Sequence, residues 1–151
     1  MDGNLPTFNY TDIVSNDPSV LQRLRHTCHN TGFFYLRCPD LTAGLLKTMF
    51  EQTRNFFALP AAEKNTIHLS LSRHFRGYSV LDEEETQGAP DHKETLDLGL
   101  EYPPSNSETD YHTLRGPNQW PERCPYFREA CESYLEQLCR IGENLVKSLA
   151  L

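Results

Sequence analysis

The chain has no uninterrupted apolar run near the roughly 18 to 20 residues that a membrane-spanning helix needs, and its first residues, Met1-Asp2-Gly3-Asn4, carry neither a basic stretch nor an apolar one behind it. The expectation is an unexported, cytoplasmic protein with no membrane partner. Positive charge is scarce as well: 14 Lys and Arg stand against 21 Asp and Glu, a formal net charge of -7. Ten of the acids and a single base, Lys93, fall between Asp82 and Asp110, so the remaining sequence is nearly balanced and offers no basic stripe for phosphates. Nucleic acid is therefore not an expected partner. The five cysteines are an odd number without a C-x-x-C pair, which fits free thiols in a reducing compartment. There is no G-x-S-x-G, no G-x-G-x-x-G and no phosphate loop, so neither an activated serine nor a nucleotide site is signalled. Internal repeats and low-complexity tracts are missing too.

What is present suffices for one folded domain over 1–151. Apolar residues make up 38% and aromatic residues 11%, enough for an ordinary core at this length. Asp17-Pro18 reads as a helix start, with Val20, Leu21, Leu24 and Cys28 facing inward and Gly32 at the end. Phe33-Phe34-Tyr35-Leu36 reads as a strand apolar on both faces, hence central in a sheet. A second helix follows, carrying Leu41, Leu45, Met49 and Phe56 on one stripe with Leu46, Phe50 and Phe57 beside it, until Leu59-Pro60 stops it. Thr66 to Leu71 is predicted as a strand, Asp82 to Pro90 as a polar loop, and Thr95 to Leu100 as a half-buried strand with Leu96, Leu98 and Leu100 on one face. Glu101 to Pro125 holds five of the ten prolines and reads as irregular. From Pro125 to Leu151, Phe127, Cys131, Tyr134, Leu138, Ile141 and Leu145 recur at alternating spacings of four and three, a long amphipathic helix that breaks off without a capping residue. The fold class expected is α+β.

Chemistry-bearing patterns are sparse. His92-x-Glu94 with His112 would give two histidines and a carboxylate, a set suited to iron, although His112 sits in the proline-rich stretch. His26-x-Cys28-His29 offers zinc-type ligands without a fourth member. Glu83-Glu84-Glu85 reads as a solvated acidic run. Arg73, Arg76 and Tyr78, around Gly77, are the candidate pocket residues, because two guanidinium groups and a phenol suit a carboxylate-bearing ligand; the alternative is that they tie neighbouring segments together. No catalytic residue and no metal ligand is assigned from the residues alone.

Five segments then stand in a familiar order: Gly32-Phe33-Phe34, Phe56-Phe57-Ala58-Leu59-Pro60 with Lys64, Arg76-Gly77-Tyr78, Asp91-His92-Lys93-Glu94, and Pro117-Asn118-Gln119-Trp120-Pro121. Together they resemble the N-terminal region of the isopenicillin N synthase-like, non-haem Fe(II) dioxygenases, most of which use 2-oxoglutarate. The resemblance covers nearly the whole chain. It implies helices with a few strands that pack against a double-stranded β-helix supplying H-x-D, a distal His and R-x-S, none of which occurs here. It further implies that this chain binds no cofactor alone, that Fe(II) and 2-oxoglutarate belong to the complete enzyme, and that its partner is a catalytic jelly-roll domain of the same parent protein. In that enzyme oxidative decarboxylation of 2-oxoglutarate would drive hydrogen abstraction from a small-molecule substrate. By the resemblance Arg76 and Tyr78 approach the substrate mouth, Gly32, Phe33, Phe34, Pro60, Gly77, Lys93 and Glu94 are architectural, and Asn118, Trp120 and Pro121 prepare the start of the long helix. The chain departs from many relatives at Arg37-Cys38-Pro39-Asp40, where they carry Asn-His-Gly. A competing reading is a truncated, non-catalytic binding module that uses the last helix to meet a protein partner.

Overall fold

The computed structural model describes residues 5–104 and 113–151. Helices and short strands alternate as β1 (Thr7–Asn9), α1 (Tyr10–Val14), α2 (Pro18–Asn30), β2 (Tyr35–Arg37), α3 (Ala43–Phe57), α4 (Ala61–Lys64), β3 (Gly77–Ser79), β4 (Glu85–Thr86), β5 (Ala89–Pro90), β6 (Thr95–Asp97) and α5 (Phe127–Leu149). The class is α+β. Two compact units are formed, one from Met1–Gly44 with Glu136–Leu151 and one from Leu45–Leu135.

In the first unit α2 begins as its sequence requires. The Asp17 carboxylate accepts the amides of Ser19 and Val20, which together with the Ser19 hydroxyl hold its carboxyl below the usual range. At the other end Thr31 and Gly32 both donate to the Thr27 carbonyl, and Gly32 takes a φ of +76° to turn the chain out of the helix. β1 and β2 pair in parallel, with Phe8 beside Leu36. Phe8, Ile13 and Leu24 form a core with Val20, Phe34, Leu36 and Leu145, and Phe34 meets Phe8 edge-on at 5.3 Å. The second half of α5 is fastened there by Asn144, which donates to the Tyr10 hydroxyl at 2.7 Å, and by the Ser148 hydroxyl on the Ile13 carbonyl.

Two expectations change here. The Phe33–Leu36 segment is not a central strand: only Tyr35–Arg37 is extended and paired, and alternation sends Phe34 and Leu36 inward while Phe33 and Tyr35 remain 70% and 62% exposed. Cys28 lies on the outside of α2, because Val20, Leu24 and Thr27 already complete the inward stripe.

The second unit is built on Phe56 of α3, whose ring stacks on Phe127 at 5.2 Å and meets Tyr78 edge-on at 6.1 Å. Ile67, Cys124 and Cys131 complete the buried set, with Met49, Phe57, Leu59, Val80, Leu96, Leu98 and Trp120 packed against it. Burial pushes the Cys131 thiol up to about 12. β3 and β6 run antiparallel with Tyr78 opposite Leu96 and Gly77 opposite Asp97, which turns Tyr78 and Leu96 to the core.

Four sequence expectations are corrected in this unit. Thr66–Leu71 is not a strand but two 3-10 turns, Asn65–Ile67 and Leu69–Leu71, with an isolated parallel bridge between His68 and Tyr78. The acidic stretch after Asp82 folds into the β4–β5 hairpin, because Gln87 and Gly88 both adopt positive φ (54° and 80°) and close a two-residue turn. Phe50 points away from the core at 71% exposure. β6 ends at Asp97, so Leu100 leaves the apolar face that Leu96 and Leu98 share.

Candidate functional site

The most unusual chemistry in the second unit is a charged group inside its core. Pro60 ends α3 and its carbonyl accepts the amides of Glu63 and Lys64, so α4 turns Lys64 back toward the aromatic cluster. There the Lys64 ammonium, its side chain only 8% exposed, donates to Glu94 Oε2 at 2.5 Å and to the Phe57 carbonyl at 3.2 Å, and lies 5.2 Å from the centre of the Tyr78 ring. The Tyr78 hydroxyl donates to the same Glu94 oxygen at 2.6 Å. Burial alone would lower the lysine and raise the carboxyl; the ion pair outweighs it in both, so Lys64 is held above and Glu94 below its ordinary value. Burial and then the neighbouring carboxylate raise the Tyr78 phenol. All three groups are thereby fixed in their pH 7 forms. They join α4, β3 and the segment entering β6.

A second group of side chains laces loops to strands. Gln119 Nε2 lies within donating distance of three carbonyls, those of Ile67 (3.3 Å), His68 (3.0 Å) and Arg76 (2.7 Å). Asn118 pairs with both backbone groups of Gly99, donating to its carbonyl at 2.8 Å and accepting its amide at 2.9 Å, so the side chain imitates a neighbouring strand. It also donates to Glu101. Trp120 packs against Phe127 beneath the Arg128 guanidinium, and Pro121 is buried beside it. Gly77, at φ +136°, is placed so that a Cβ would lie 2.4 Å from the Ile67 carbonyl oxygen and 2.6 Å from Gln119 Nε2. No larger residue fits that close approach.

Around Phe75 a third group forms a clamp. The His74 ring is buried, its Nδ1 donates to the Thr113 carbonyl at 2.6 Å, and Gly116 lies so close that a Cβ there would sit 2.2 Å from the ring. The Arg76 guanidinium donates to the carbonyls of His74 (3.2 Å), Phe75 (2.9 Å) and Leu114 (3.0 Å), and Gly99 presses against it. Asp97 stands half-buried on the outward face of β6; burial and Glu84 raise its carboxyl, Arg76 and Lys93 oppose that.

The predicted residues therefore part company. Arg76 is engaged with backbone carbonyls, Tyr78 is 3% exposed with its hydroxyl on Glu94, and Arg73 is exposed. Lys93 and Glu94 point to different partners: Lys93 stays at the surface with Glu84 and Asp91, Glu94 turns inward. His92 pairs with Asp82 instead of sharing a ligand set with Glu94, while His112 lies outside the described residues. Among the described residues no three His, Cys, Asp or Glu side chains are grouped to hold a metal ion. Of the acidic run, Glu83 accepts from His68 and from the Val80 amide, and Glu84 pairs with Lys93. His26 is bonded to Asn30, not aimed at Cys28. The sequence did not single out His74, Phe75 or Gly116; a phenylalanine at positive φ leaves no trace in the one-dimensional pattern.

Comparison with known proteins places these features. The family model described as the N-terminal part of the non-haem dioxygenase in morphine synthesis matches residues 5–123. A homoarginine-6-hydroxylase of Arabidopsis thaliana is 31% identical over 132 residues, 87% of this chain and 40% of the relative. A second homoarginine-6-hydroxylase, of Glycine max, is 34% identical over 142 residues, covering 91% and 43%. A 2-oxoglutarate-dependent dioxygenase of Dothideomycetidae sp. is 34% identical over 134 residues, covering 88% and 36%. The chain thus spans about two fifths of the length of these relatives. In structure it resembles a 2OG-Fe(II) oxygenase family protein of Caulobacter crescentus, with a TM-score of 0.76 at 22% identity over 97% of this chain and 47% of that one.

Proposed function

The chain belongs to the family of non-haem dioxygenase N-terminal regions, and from that premise we propose that it is the N-terminal part of an Fe(II)- and 2-oxoglutarate-dependent oxygenase that oxidises a small molecule. The observation that carries the reading is the family match across residues 5–123 in a chain that covers only 40% of its Arabidopsis relative. On this reading the residues described here supply support, not chemistry. The Lys64–Glu94–Tyr78 core and the Gln119 and Asn118 bridges make a stiff base, and the Arg76 clamp presents a loop at the substrate entrance. Among the described residues no three His, Cys, Asp or Glu side chains are grouped to hold an iron ion. In the proposal iron and 2-oxoglutarate, and the jelly-roll that holds them, occupy the part of the relatives that this chain does not cover.

The test is succinate release from 2-oxoglutarate in the presence of Fe(II), ascorbate and O₂. The purified 151-residue chain is expected to release none, and the complete parent enzyme to release it. Iron-dependent turnover by the chain alone would sink the claim that it is a supporting part. Because homoarginine-6-hydroxylases recur among the relatives, L-homoarginine is the first substrate to add.

A further inference from the structure

We propose that Phe75 is the residue of this region that meets the substrate, and that its ring is laid against a planar cationic group, a guanidinium; this rests on the reading of the chain as part of a 2-oxoglutarate-dependent oxygenase. Phe75 has a φ of +55°. For a bulky L-residue that conformation costs about 1–3 kcal/mol and persists only where the surroundings impose it. Ordinarily such a cost is offset by burying the side chain, yet Phe75 is 56% exposed. The energy of the turn therefore comes from its neighbours.

Those neighbours hold the turn on both sides. His74, before it, is locked into a buried slot by the Thr113 carbonyl and by Gly116. Arg76, after it, has both terminal nitrogens on backbone carbonyls, including that of Phe75 itself, and the Arg76 carbonyl is held by Gln119. Gly77 then admits the close approach that lets β3 begin immediately. The outcome is a phenyl ring, more than half exposed, displayed on a strained turn. A residue serving only the fold would gain by being glycine or asparagine at this φ.

The arrangement also reassigns the arginine beside it. The sequence left Arg76 two roles, a ligand carboxylate or a tie between neighbouring segments; its terminal nitrogens face carbonyl oxygens and Gly99 abuts the guanidinium. It is a positioning residue for Phe75. An exposed aromatic face attracts a planar cation through its quadrupole and through stacking. That chemistry suits the side chain named in the homoarginine-6-hydroxylase relatives.

The experiment makes two measurements. Phe75→Ala and Phe75→Gly of the complete enzyme are compared with wild type by thermal melting; both are expected to melt no lower than wild type, and a fall of several degrees in both would make Phe75 a structural residue and overturn the proposal. In the complete enzyme, succinate release is measured without a second substrate and with L-homoarginine. Phe75→Ala is expected to raise the KM for L-homoarginine about tenfold and to alter kcat little, a loss within the usual range for a partly desolvated cation over an aromatic face. Phe75→Trp should restore the KM, whereas Phe75→Leu, apolar but without a π face, should not. Three failures remain distinct. No 2-oxoglutarate turnover in the wild type overturns the reading of the chain itself; turnover that L-homoarginine does not stimulate overturns the guanidinium; stimulation unaltered in Phe75→Ala overturns the role of Phe75.

Discussion

Glu94 and Lys64 share one ion pair but stand in different surroundings, and this makes their loss unequal. The Lys64 side chain is 8% exposed and the Glu94 side chain 30%. Glu94→Gln strands an ammonium among aromatic rings and is expected to cost about 2–4 kcal/mol, whereas Lys64→Met leaves a carboxylate that keeps the Tyr78 hydroxyl and reaches water, at about 1–2 kcal/mol. Urea unfolding of the two variants checks the order. The pH dependence follows from the directions of the shifts. Glu94 is held below its ordinary 4.5, so its contribution is complete above that value and is lost as the pH falls through the depressed one. Lys64 is held above its ordinary 10.5, so its contribution is complete below that value and is lost as the pH rises through the raised one. Wild-type unfolding midpoints should therefore form a plateau between these limits, and the acid limb should be shallower in Glu94→Gln.

Among the elements, glycine separates two kinds of turn. Gly77 and Gly88 both have positive φ, but a Cβ at 77 would strike the Ile67 carbonyl and Gln119, whereas a Cβ at 88 meets nothing within 4 Å. Gly88→Ala is expected to cost about 1 kcal/mol, the price of the left-handed backbone alone. Gly77→Ala adds a collision with main chain and is expected to cost at least about 3 kcal/mol, measured as a fall in the denaturant midpoint. The contrast also shows what a sequence can disclose. Asp17-Pro18, Gly32 and the spacing of Phe127, Cys131 and Ile141 declare α2 and α5, because caps and 3.6-residue periodicity act locally. Ile67, Leu69 and Leu71 alternate as in a strand, yet the segment coils into 3-10 turns, since its carbonyls are claimed by a glutamine some fifty residues on. β1 and the β4–β5 hairpin are too short for any period to register. The candidate site was legible only as a set of segments: the glycine and the arginine before Tyr78 stood out, but the strained phenylalanine did not, because backbone strain depends on partners brought in by the fold.

At the scale of the whole molecule the chain holds two cores, and the first of them is assembled from its two ends. Phe8, Ile13 and Leu24 come from the beginning and Leu145 from the last turns of α5. Leu24, fully buried, is expected to cost about 2–4 kcal/mol when cut to alanine. Amide exchange gives the sharper readout: Leu24→Ala should speed exchange in α2 and, more than a hundred residues later, around Ile141 to Ser148, because both segments close the same core. Acceleration confined to α2 would show that the end of α5 is held independently of it. The exposed Phe33 and Tyr35 belong to this unit's surface.

The triple grip of Gln119 also sets an order of events in the cell. The carbonyls of Ile67, His68 and Arg76 face an amide that is translated some 43 to 52 residues later. At about 5–20 residues per second, the segment that carries Phe75 waits several seconds on the ribosome before its last partner emerges. A nascent chain arrested before Gln119 has left the ribosome would present that segment unfastened, open to chaperones, and further elongation that brings Gln119 out would begin to close it.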